Sequence, residues 1–95
     1  MWVKNAGGTS DKTCKCGSWL EHWKKFSGQN VPSYCPAKNC YEKELVGAHV
    51  KKNNSSDMNT YIVPLCSTHN STDGAFEVSD TYGLVSANVA ATCGK

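Results

Sequence analysis

A chain of 95 residues, an aliphatic complement too thin for a free-standing core, and six cysteines in short-spaced groups predict a small α+β domain stabilised by metal. Leu, Ile, Val and Phe contribute 15 of the 95 residues, below the roughly 20% that ordinary globular chains exceed. The formal net charge is only +2, and three Trp and four Tyr supply bulk, so the shortage is not that of a disordered polyelectrolyte. Domains of this size supplement a weak core with disulfides or a structural metal. The length leaves room for one domain, 1–95.

Taken in order, residues 1–13 show no periodicity and read as a flexible arm. Residues 14–34 read as an N-terminal extension built on a Trp-rich helix. Ser18-Trp19-Leu20-Glu21 has the form of a capping box, a hydroxyl followed three residues on by a carboxylate. Trp19, Leu20, Trp23 and Phe26 then recur at helical spacing, and Gly28 closes the pattern. The helix is expected over 18–27, with its aromatic face packed into the core. Pro32 and Pro36 make 28–44 loop-like. Residues 45–50 and 61–64 read as two strands joined by the polar loop 51–60. Ser67 is placed to start a helix, 73–77 reads as a further turn, and 84–87 as a last short strand. The segment 73–95 returns Cys93 to the rest of the domain.

Cys35 and Cys40 flank the loop PAKN, and Cys66 and His69 lie three apart at the expected helix start. A tetrahedral Zn²⁺ needs four such ligands at one point. A tight turn supplies two, and a helix N-terminus, where free amides favour thiolate, supplies two more. The intervening 25 residues suffice for one hairpin, which brings the pairs together in the layout of a treble clef. Cys14, Cys16, His22 and Cys93 form a second candidate set, assigned partly by elimination. Cys14 and Cys16 are too close in sequence for an unstrained mutual disulfide, yet both can point at one ion. Two structural Zn²⁺ ions are therefore expected. Disulfides or buried thiols are the competing account.

The opening MWVKNAGGTS contains no apolar run of signal-peptide length, and no stretch approaches the roughly 20 apolar residues of a membrane span. The expectation is a cytoplasmic protein without a membrane partner, where reduced thiols favour metal. A secreted, disulfide-stapled protein already freed of its signal peptide is the alternative. Nine of the ten lysines fall in residues 1–52, giving that half +5 and residues 53–95 −3. This asymmetry reads either as a solvated surface of ordinary lysines or as a basic face for phosphates, with DNA or RNA as partner and a protein partner as the alternative. Arginine, the usual bidentate reader of bases and phosphates, is absent.

The runs Gly47-Ala48-His49-Val50 and Tyr61-Ile62-Val63-Pro64-Leu65-Cys66-Ser67-Thr68-His69-Asn70 resemble the core of HNH, or His-Me finger, endonucleases. The resemblance spans about residues 35–72. It implies a ββα-metal core, with Cys35, Cys40, Cys66 and His69 as the structural zinc set. It also implies His49 as the general base that activates water, and Asn70 as ligand of Mg²⁺ or another divalent ion that polarises the scissile phosphate. Ala48 stands where the family often has Asp, and Tyr61 where it has the Asn that orients the base. A non-catalytic zinc-finger module on the same scaffold is the second functional reading.

Overall fold

The computed structural model describes residues 1–6 and 17–88. Within them run β1 (Trp2–Asn5), α1 (Trp19–Ser27), β2 (Leu45–Lys52), β3 (Tyr61–Cys66), α2 (Ser67–Asn70), β4 (Phe76–Glu77) and β5 (Val85–Ser86). The strands form one antiparallel sheet in the order β4-β1-β2-β3-β5. No described helix is long and apolar enough to cross a membrane.

The hairpin of β2 and β3 is the centre of the sheet, pairing Leu45 with Cys66 through to Val50 with Tyr61. Alternation along it creates two faces. Ala48, Val50, Val63 and Leu65 join Val3, Ala37, Val78, Cys35 and Cys66 in one core cluster. Ile62 joins Trp23 and Val85 in the other, with Trp19, Val31, Tyr82 and Ala87 around it. Gly47 belongs to this second face. A Cβ there would sit 2.5 Å from the Leu20 amide nitrogen, so only glycine lets α1 lie this close to the sheet.

Helix α1 begins and ends as the sequence indicates. Ser18 is its N-cap, with Oγ accepting from the Glu21 amide at 3.1 Å. Gly28 closes it at φ 69°, a left-handed conformation that suits a residue without Cβ. His22 and Trp23 are its buried residues. Trp23 Nε1–H donates to the Gly83 carbonyl at 2.8 Å, and Gln29 Oε1 accepts from the Gly83 amide at 2.9 Å. The loop after β4 is thereby tied to the end of α1.

Three expectations need correction. Trp2–Asn5, read as part of a flexible arm, is a strand between β2 and β4; residues 7–13 lie outside the described residues. Pairing with Lys51 and Lys52, distant in sequence, makes it a strand, and no local periodicity announces that. The segment read as a turn at 73–77 carries β4, which pairs with β1. The helix expected from Ser67 is one turn of four residues, and its N-cap is Cys66.

Candidate metal centre

The loop from Cys35 to Cys40 folds back on itself. The Cys35 amide donates to the Glu42 carbonyl at 2.7 Å and the Cys40 amide to the Ala37 carbonyl at 3.1 Å. Asn39 takes the left-handed φ of 62° that the turn requires, a conformation Asn tolerates better than most residues. The loop is pinned to β4 by Lys38 N–H donating to the Glu77 carbonyl and Ser79 N–H to the Pro36 carbonyl, both at 2.9 Å.

The second ligand pair comes from the junction of β3 and α2. Cys66 ends the strand and caps the helix, its Sγ accepting from the His69 amide at 3.5 Å. One helical turn then presents the His69 ring beside the same sulfur. Asn5 Nδ2 donates to the carbonyls of His69 and Thr72, each at 2.8 Å, so β1 clamps this turn in place. Phe76 packs on the His69 ring with centroids 5.2 Å apart.

Cys35, Cys40, Cys66 and His69 thus converge, with all four donor atoms within 4.8 Å of one another. Cys40 Sγ lies 3.8 Å from Cys66 Sγ. His69 Nδ1 lies 3.3 Å from Cys66 Sγ and 3.8 Å from Cys35 Sγ. Two thiolates on tetrahedral zinc, with bonds of about 2.3 Å, stand about 3.8 Å apart, and a sulfur and an imidazole nitrogen about 3.5 Å apart. These three separations are close to those values, and the whole set, within 4.8 Å, is slightly wider than a metal-bound tetrahedron. A disulfide needs sulfurs about 2.05 Å apart, and Cys35, Cys40 and Cys66 are all free thiols.

Electrostatics divide the sulfurs. Burial pushes the Cys35 thiol up to about 11, although the Cys66 amide donates to its sulfur at 3.4 Å. Burial acts in the same direction at Cys66, but the His69 amide and ring and the Cys35 and Cys40 thiols outweigh it. The Cys66 thiol is lowered to about 7. Three crowded sulfurs cannot all ionise without a cation among them, and a divalent metal removes that conflict.

The other expected site residues lie elsewhere. His22 is fully buried on α1, its Nε2 2.8 Å from the Ser86 carbonyl; Cys14, Cys16 and Cys93 lie outside the described residues. His49 faces α1, opposite Ile62 in the register. Its ring meets the Trp19 ring edge-on at 4.5 Å, in a series that continues through His22 to Phe26. Asn70 is the exposed last residue of α2. Tyr61 serves the hairpin loop: its hydroxyl donates to Asp57, which also accepts from the Asn59 amide. Asn5 is the supporting residue that the sequence did not reveal, since nothing in a lone Asn near the N-terminus marks a helix clamp.

Neither a family model, nor a curated protein, nor a solved structure matches the chain. The class defined by the fold and site is accordingly coarse: an α+β domain with a five-stranded antiparallel sheet and a Cys3His cluster able to hold a metal ion such as zinc.

Proposed function

We propose that the chain is a zinc-stabilised nucleic-acid-binding domain of treble-clef layout, similar in its ββα order to the HNH core but working by binding rather than cleavage. The Cys35, Cys40, Cys66 and His69 cluster, with donor atoms within 4.8 Å of one another, carries the reading. Three sulfurs and one imidazole nitrogen make a closed structural zinc site with no position left for substrate. Turn, hairpin and helix start deliver the ligands in pairs, as in a treble clef. Nucleic acid as the partner is supported by the nine lysines within residues 1–52.

Binding without hydrolysis is favoured by the surroundings of the catalytic positions. A general base must reach the water it activates. His49 is instead half-buried against Trp19, on the face that α1 covers. Tyr61, at the position that would orient the base, is engaged with Asp57. A divalent ion at Asn70 belongs only to the cleaving alternative.

A second Zn²⁺ held by Cys14, Cys16, His22 and Cys93 is part of the proposal. It is supported by the bond between His22 Nε2 and the Ser86 carbonyl. Placing the proton on Nε2 makes Nδ1 the metal-binding nitrogen, the usual way a backbone carbonyl orients a ligand histidine. A reducing compartment such as the cytoplasm suits both sites.

The test combines metal analysis with function. Native mass spectrometry should find two zinc ions per chain, and a strong chelator should abolish the fold. Gel shifts at low salt should show DNA or RNA binding that fades steeply as salt rises. Plasmid should stay intact with Mg²⁺ or Mn²⁺. A domain that remains folded without metal would overturn the reading, and nicking that disappears in His49→Ala would replace it with the nuclease.

A further inference from the structure

From the β1 side of the sheet, we infer a binding site for one strand of single-stranded nucleic acid, with Trp2 stacking a base and Lys4 and Lys51 holding the phosphates. This rests on the nucleic-acid reading above and specifies its surface and ligand.

Three independent features lie along β1 and the end of β2 beside it; Glu77, opposite Trp2 in the register, is paired with Lys38 at 3.5 Å. First, β1 alternates strictly: Val3 is fully buried, whereas Trp2 is 54% exposed and Lys4 is exposed. A Trp left in water on a chain this poor in apolar side chains is not serving the core. Second, Lys4 stands directly opposite Lys51 in the β1–β2 register. Like charges in that position oppose each other and weaken a sheet. Among the described residues neither lysine has an acidic partner, whereas neighbouring Lys52 is paired with Asp57 at 3.3 Å. Third, Lys4 and Lys51 open onto a cleft of about 420 Å³ that Asn53, Asn54 and Ser55 also line. That volume falls in the range of small-ligand sites. Among the described residues only one carboxylate, Asp57, faces it against three lysines.

The register sets these groups side by side. Trp2 and Lys4 are two apart on one strand and so share a face, and cross-strand pairing puts Lys51 on that same face. The Asn53 amide donates to the Trp2 carbonyl at 3.0 Å, joining the aromatic side chain's strand to the cleft wall. An aromatic platform beside a basic groove matches an unpaired strand, whose bases are free to stack and whose backbone is anionic. A duplex keeps its bases in its own stack, and an acidic peptide gives Trp2 nothing planar to cover it.

The zinc-loaded chain is titrated into fluorescein-labelled oligothymidine, with anisotropy read over a range of salt. Trp2→Ala should weaken binding about ten-fold, and Trp2→Phe should weaken it less. The double variant Lys4→Gln, Lys51→Gln should flatten the slope of log affinity against log salt by about 1.4, the value for two phosphate contacts on a single strand. Tryptophan emission should be quenched by oligothymidine in the wild type, and most of that quenching should be lost in Trp2→Phe. Zinc content and circular dichroism confirm that each variant is folded. Unchanged affinity in Trp2→Ala, or equal competition by heparin, would overturn the site. A preference for duplex that the variants do not alter would remove this inference and leave nucleic-acid binding standing. No binding to any nucleic acid would remove both.

Discussion

On one face of the sheet, Val3, Ala48, Val50, Val63, Leu65 and Val78 close around Cys35 and Cys66. On the other, Trp23, Ile62 and Val85 lie beneath α1, with Trp19 and Tyr82 at the margin. The first set consists mostly of small side chains, and its cover is a loop and a single helical turn. Such pieces have little apolar surface with which to hold themselves down. The second set is aromatic, and its cover is a capped helix tied by side-chain bonds from Trp23, His22 and Gln29. The first cover is gathered at a Cys3His cluster able to hold a metal ion, whereas the second, where the proposed function adds an ion at His22, is also closed by ring packing.

The largest expected effect tests the ion-dependent half. Cys66→Ser removes one of the four donor atoms of the cluster, a sulfur that also caps α2. Structural zinc is worth about 10–16 kcal/mol in small zinc domains, comparable with the whole stability of an ordinary domain. The variant should fail to retain zinc at this cluster and should lose its sheet signal in circular dichroism, even with zinc in excess. A variant that kept both metal and sheet would show that the two faces do not differ as described.

The aromatic half should respond in a graded way. Gly47→Ala forces a methyl against the Trp19 and Leu20 backbone, so α1 must lift. Overpacking of this kind costs about 1–3 kcal/mol. Denaturant midpoints should fall accordingly while the zinc expected at Cys35, Cys40, Cys66 and His69 is retained. Loss of zinc from that cluster in this variant would mean that the two faces form one inseparable unit.

The smallest effect lies where the hairpin loop meets the edge of the first face at Tyr61, and is read by pH. The bond to Asp57 comes first, then burial and the Asp57 charge, in raising the Tyr61 phenol above its ordinary value. The folded chain therefore holds this proton more tightly than the unfolded chain. The resulting stabilisation is complete below the usual phenol value of about 10, and it fades as pH rises through the folded value. Asp57 has the opposite sign. Its bonds from Tyr61 and the Asn59 amide hold the carboxyl down to about 2, so its stabilisation is present above about 4 and is lost as pH falls through about 2. In an alkaline titration of phenolate absorbance, one tyrosine should lag behind the others in the wild type and rejoin them in Asp57→Asn. Identical curves would show that the Tyr61–Asp57 bond has no bearing on ionisation.

The sequence made these regions legible to different degrees. The N-cap and C-cap of α1 are local chemistry, and Ser18, Glu21 and Gly28 announce them without outside help. The Cys3His cluster was equally readable, because ligand spacing at a turn and at a helix start is also local. Strand β1 was not, since Trp2–Asn5 owes its conformation to partners about 50 residues away and to two residues of β4. The Asp73-Gly74 turn signal hid β4 in the same way. The burial of His49 under Trp19 was invisible for a related reason: helical periodicity shows that α1 has an apolar face, but not which strand it covers.

Strand β4 forms one rim of the sheet, and its outward backbone is occupied by Lys38 and by the bridge from Ala37 to Val78, both on the loop between Cys35 and Cys40. An unoccupied rim is a template on which further chains can stack. The ion that gathers this loop would thus protect molecules from one another as well as hold each one together. On removal of metal β4 should be uncovered as the domain comes apart, and the solution should turn turbid through strand-to-strand aggregation instead of remaining a clear suspension of unfolded chains.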